Sequence, residues 1–140
     1  MARRCGWLPL VLVVLTGCSG GKDRIAPVSG VVRLNGKPLA GASVFFEPIP
    51  SDKETYGPGA HAITDAEGRF TLMVAAEKTR GAVIGKNTVR ISLGDAPKGD
   101  PGGAHLTREL LPARYNSKSE LTFDVPPGGS DAANFDLKKP

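Results

Sequence analysis

The histidines, the cysteines and the Arg114-Tyr115 pair are the side chains of this 140-residue chain best suited to chemistry. Nucleophilic catalysis needs a nucleophile, a base beside it and a group that orients the base. His61 and His105 are the histidine bases on offer. His61 opens a short apolar run after a loop, and His105 follows a Gly-rich loop. No Gly-x-Ser-x-Gly elbow accompanies either. Each reads first as a surface or strand-edge histidine and second as a ligand contact. Asp65-x-Glu67-Gly68 places two carboxylates in a turn but lacks the further ligands of a calcium loop. The glycines at 99–103 and 128–129 neither precede a helix nor lead into Gly-Lys-Ser/Thr, so no phosphate loop is indicated. Tyr115 offers an aromatic face with a donor beside it, which suits a sugar. The alternative is a ring packed over the edge of the fold with its hydroxyl on backbone. Tyr115, Arg114, His61 and His105 are therefore the candidate ligand contacts. No catalytic residue, metal ion or dissociable cofactor is expected.

The cysteines point elsewhere. Arg3 and Arg4 precede the nine-residue run Trp7–Leu15. That run is shorter than the roughly 20 apolar residues a bilayer core requires. A basic start, a short apolar stretch and small residues after it make a secretory signal peptide. Leu15-Thr16-Gly17-Cys18 then resembles the bacterial lipobox. The resemblance implies cleavage between Gly17 and Cys18, a diacylglyceryl thioether on Cys18 and an N-acyl group on the new amino terminus. Each buried methylene contributes about 0.8 kcal/mol and one chain alone binds marginally, so two or three chains make a firm anchor. Membrane lipid is then the first partner. By the same resemblance, Ser19 after the lipidated cysteine leans toward the outer membrane rather than inner-membrane retention.

Composition agrees with an exported, redox-independent domain. Loss of residues 1–17 removes Arg3 and Arg4, so 18 basic residues become 16 against 14 acidic ones. No basic cluster of the nucleic-acid type remains, and no nucleic-acid partner is expected. The remaining cysteine is the lipidated one, so no disulfide is expected. The expected division is signal peptide 1–17, lipidated cysteine and tether 18–26, and one domain 27–140.

Glycine and proline together make up 30 residues, without a collagen period. They punctuate seven strand-like runs: 28–34, 43–48, 61–64, 69–74, 86–93, 121–125 and 134–137. Asn35-Gly36 and Asp65-Ala66-Glu67-Gly68 are the strongest turn signals. Alternation points Val32, Leu34, Val44, Phe46, Phe70, Leu72, Val89, Ile91, Phe123, Val125, Phe135 and Leu137 inward. Polar outward positions suggest two antiparallel sheets packed face to face.

The motifs Val28-x-Gly30-x-Val32, Asn35-Gly36-Lys37-Pro38-Leu39-Ala40-Gly41-Ala42-x-Val44 and Thr64-Asp65-Ala66-Glu67-Gly68-Arg69-Phe70-x-Leu72 resemble the carboxypeptidase regulatory-like domain. That resemblance implies a seven-stranded antiparallel Greek-key β-sandwich of the transthyretin (prealbumin) type. Asn87 departs from the pattern, standing where an aromatic is usual. Pro112-Ala113-Arg114-Tyr115, Ser119-x-Leu121-x-x-x-Val125 and Asn134-Phe135-Asp136-Leu137 are similar to small lipoproteins of planctomycete-type bacteria. One enzymatic transthyretin-like family, the hydroxyisourate hydrolases, carries a C-terminal Tyr-Arg-Gly-Ser. This chain instead ends Phe135-Asp136-Leu137-Lys138-Lys139-Pro140. The expectation is a non-enzymatic, lipid-anchored envelope module, structural or binding an envelope protein or carbohydrate. The alternative is an accessory, substrate-binding part of an envelope hydrolase or transport system.

Overall fold

The computed structural model describes residues 24–50, 57–94 and 108–140. The protein is all-β. Its strands are β1 (Ile25–Ala26), β2 (Ser29–Leu34), β3 (Lys37–Pro38), β4 (Ser43–Pro48), β5 (Ala60–Ile63), β6 (Arg69–Thr71), β7 (Met73–Val74), β8 (Thr79–Arg80), β9 (Ala82–Val83), β10 (Gly85–Ser92), β11 (Thr122–Val125) and β12 (Phe135–Leu137). A six-stranded sheet runs β11-β10-β4-β5-β7-β8. A second sheet runs β12-β2-β3, with β6 also pairing β2. Their inner faces share one core, as in a sandwich.

All seven expected runs contain strand, and alternation explains why they were readable. Ten of the twelve side chains expected inward are buried; Leu34 and Phe123 are half-buried and pack against the same core. Phe46 and Phe123, 5.7 Å apart in one sheet, meet Phe135 from the other at centroid distances of 6.2 and 6.3 Å. Phe70 stacks on Phe135 at 6.4 Å. Tilted and edge-on contacts of this kind add to what burial alone gives.

Three expectations are corrected. The run 69–74 is not one strand of one sheet. β6 pairs β2 in the second sheet, whereas β7 pairs β5 in the first. The change occurs at Leu72, whose N–H donates to the Val28 carbonyl. Phe70, Leu72 and Val74 stay buried throughout, because both sheets face the same core and alternation does not register a change of hydrogen-bonding partner.

The sandwich is also not wholly antiparallel. β12 lies parallel to β2, with Phe135 beside Val32 and Leu137 beside Leu34. β12 follows β11, which lies in the other sheet, so no hairpin sets its direction. Finally, the tether does not extend to residue 26. β1 pairs β9, Ala26 is fully buried, and the Ile84 N–H donates to the Arg24 carbonyl at 2.7 Å.

The turn chemistry follows the residues. Asn35 and Gly36 both have positive φ, 50° and 80°, as the β2–β3 hairpin demands. Glu109 forms an antiparallel bridge with Gly94. Most of the Gly-rich loop 94–103 lies outside the described residues.

Candidate functional site

The two most regular motifs form one joint. Asp65 Oδ1 accepts the Glu67 and Arg69 N–H groups at 3.0 and 2.9 Å, and Gly68 takes φ 74°. This is a carboxylate-capped hairpin turn, which gives the Asp65 carboxylate a structural role. Thr64, buried, reaches back to the Lys37–Val44 motif. Its Oγ1 accepts the Ala42 N–H at 2.9 Å and donates to the Leu39 carbonyl at 2.6 Å. Thr64→Val keeps the shape and strands both backbone partners. It is expected to cost about 2 kcal/mol, read from urea unfolding; an unchanged midpoint would remove the joint from the account of stability.

Tyr115 and Arg114 are tied into the end of the second sheet. Tyr115 is buried, its hydroxyl accepts the Lys138 N–H at 2.8 Å and donates to the Lys138 carbonyl at 3.2 Å. Arg114 donates to that same carbonyl at 2.6 Å and lies 4.9 Å from the Tyr115 ring centre. The pair thus clamps the chain just beyond β12. Burial pushes the Tyr115 phenol up; the Lys138 backbone hydrogen bond, the Arg114 side chain and the Lys138 charge outweigh it and bring the phenol below its ordinary range. A folded value below the unfolded one means this group adds stability as pH climbs from the folded value toward about 10. That contribution is lost as pH falls through the folded value. Tyr115→Phe is expected to remove the earlier of the phenolate absorbance steps, to cost about 1 kcal/mol and to speed hydrogen exchange at Lys138. Unaltered exchange there would mean that the clamp does not hold the chain end.

His61 is exposed on β5, in a different sheet from that clamp. It sits in a cross-strand row, Arg90–Phe45–His61–Met73–Arg80, running through β10, β4, β5, β7 and β8. The structure therefore does not bring His61 together with Arg114 and Tyr115. His105, Gly17 and Cys18 lie outside the described residues. Among the described residues there is no group of three His, Cys, Asp or Glu that could hold a metal ion, and no helix long and apolar enough to cross a membrane.

Beside this row runs an open groove of about 480 Å³, lined by Phe45, Glu47, Ile49, Gly59, Thr88 and Arg90. The Phe45 ring lies over Gly59, where a Cβ would come within 2.8 Å of its tip. Arg90 pairs with Glu47 at 3.0 Å with both side chains half exposed, an ion pair worth at most about 1 kcal/mol. Sequence reasoning passed over Phe45, Ile49, Ile63 and Met73, which are exposed. For Phe45 and Met73 the signal was present: each neighbours a residue that alternation sends inward.

The Ser119 and Asn134 motifs are structural. The Ser119 hydroxyl donates to the Val89 carbonyl and accepts the Leu121 N–H, fixing the approach to β11. Asn134 Oδ1 accepts the Val31 N–H at 3.1 Å, fixing the approach to β12.

The model of a family described as a domain of unknown function (DUF6795) matches residues 28–93. That span holds β2 through β10, the Thr64–Asp65 joint and the exposed row, and stops short of Arg114, Tyr115, β11 and β12. No curated protein and no solved structure matches the chain.

Proposed function

We propose that this protein is a bacterial lipoprotein, anchored through Cys18, whose β-sandwich serves the cell envelope as a non-enzymatic structural or binding module. The observation that carries this reading is the position of Leu15-Thr16-Gly17-Cys18. It stands directly after a basic start and a short apolar run, and only seven residues before Ile25 opens β1. A signal peptide, an acylated cysteine and a folded domain would then follow one another almost without spacer. The resemblance to carboxypeptidase regulatory-like lipoproteins supports the same reading. So does the engagement of Tyr115 and Arg114 with the Lys138 backbone.

Expression in a bacterial host with labelled palmitate tests it. The wild-type chain is expected in the membrane fraction, labelled, and beginning at residue 18. Cys18→Ser is expected to lose the label and to retain residues 1–17. If Cys18→Ser is cleaved identically and stays with the membrane, the lipoprotein reading is wrong.

A further inference from the structure

We infer that the outer face of the six-stranded sheet docks on the surface of the phospholipid bilayer. This rests on the Cys18 anchor proposed above and adds an orientation to it. Among the described residues, the exposed large hydrophobic side chains are Phe45, Ile49, Ile63 and Met73, at 39, 39, 64 and 43%. Single exposed apolar residues are ordinary, but contiguous ones mark an interaction surface. These four share a face. Phe45, Ile63 and Met73 occupy the outward positions of β4, β5 and β7, and Phe45 and Met73 flank His61 in one cross-strand row. Ile49 continues the alternation of β4 and donates its N–H to the Lys86 carbonyl, so it extends the patch toward the start of β10.

The rim carries three basic side chains against two acidic ones. Arg80, Lys86 and Arg90 stand exposed on the strands that carry or flank the patch, Glu47 pairs with Arg90, and Asp124 stands exposed opposite Lys86. Basic side chains around an apolar patch are the arrangement by which a protein surface settles at the boundary of headgroups and acyl chains. The opposite sheet, by contrast, exposes Arg33, Lys37, Arg69, Thr71 and Asp136 and turns outward only a half-buried Val31.

The tether decides which surface the lipid meets. The Arg24 carbonyl accepts the Ile84 N–H, so the chain leaves the domain beside the first residue of β10, at the end of the sheet where Lys86 and Ile49 lie. Six residue steps separate Arg24 from Cys18, a reach of about 20 Å at full extension. The face from Ile49 to the level of Ile63, whose partner on β4 is Ser43, is also about 20 Å long at the rise of a strand. A domain held that closely can lay this face flat on the bilayer.

The test uses residues 18–140, which contain the whole described fold and a single cysteine, Cys18, with no tryptophan. Made without lipid, the chain is coupled through the Cys18 thiol to a maleimide lipid in phosphatidylethanolamine–phosphatidylglycerol vesicles. Ile63→Trp, Met73→Trp and, on the opposite sheet, Asp136→Trp are prepared separately. With brominated acyl chains in the vesicle, the indoles at 63 and 73 are expected to lose about half their fluorescence, and the indole at 136 little. Equal quenching on the two faces, or none at 63 and 73, overturns the docking face. So does a response at 63 that persists without vesicles and grows with protein concentration, which would assign the patch to a second copy of the chain. Because the anchor is attached chemically, these results stand apart from whether a host acylates Cys18.

Discussion

Gly30→Ala is expected to cost about 3 kcal/mol or more, although alanine is the smallest possible addition. A Cβ on Gly30 would lie 2.0 Å from the Ala133 carbonyl oxygen and 2.4 Å from its carbon. Both are backbone atoms, so no rotamer change relieves the clash. Nor can the segment swing away freely. Ser29 donates to the Ser130 carbonyl at 2.9 Å, Ala133 donates to the Ser29 carbonyl at 3.1 Å, and Val31 donates to Asn134 Oδ1. The residues leading into β12 are fastened to β2 on both sides of Gly30. Gly36→Ala is the control. It has open space around its Cβ but φ 80°, so only conformational strain is expected, about 1 kcal/mol. Urea unfolding of the two variants reads the difference. A Gly30→Ala protein as stable as Gly36→Ala would show that β2 and the 130–133 segment are not in close contact.

Asn87→Asp, a change of one atom type, is expected to destabilise by about 3–5 kcal/mol at neutral pH. Asn87 is fully buried, its amide donates to the Val83 and Gly85 carbonyls at 2.9 Å each, and its Oδ1 has no partner among the described residues. A carboxylate there would face two carbonyl oxygens with no donor, out of reach of water. Burial pushes such a group's folded pKa above its ordinary value near 3.9. The native state then holds the proton longer than the unfolded chain. The ionic penalty is therefore absent below the ordinary value and grows as pH rises from there to the folded value. The variant should be distinctly more stable at pH 4 than at pH 7, each compared with the parent protein at the same pH. A deficit that does not change with pH would mean that the side chain at 87 reaches solvent or finds a donor. Asn87→Leu, which removes the unpartnered oxygen along with the two donors, should lie between the parent protein and Asn87→Asp at pH 7.

These two sites also mark what could be read before the structure. The inward set was legible because alternation in runs such as Arg69–Val74 and Asn87–Leu93 reports distance from the core. The Asp65–Gly68 and Asn35–Gly36 turns were legible because each needs a particular side chain or a positive φ. What stayed hidden depends on partners distant in the chain. Nothing near Leu72 says that its neighbours bond to different sheets. Nothing in Phe135-Asp136-Leu137 says that β2 runs beside it in the same direction. Asn87, by contrast, stood out as a departure from a pattern, and its two carbonyl partners are local, four and two residues back at Val83 and Gly85. Of the candidate ligand contacts, Tyr115 took the packing role weighed for it, and His61 took a place in an outer row that single-residue reasoning does not assemble.

The parallel pairing of β2 with β12 has a consequence for time rather than for energy. Val31 and Asn134 are 103 positions apart, so this edge of the second sheet waits for almost the whole chain. Contacts this remote slow folding, because the loop must close before any contact rewards it. A chain that emerges from its amino end cannot complete β2's neighbourhood until Leu137 arrives. Strands β4 to β10 are all present by Ser92, so the central pairings of the first sheet can form before β12 closes against β2.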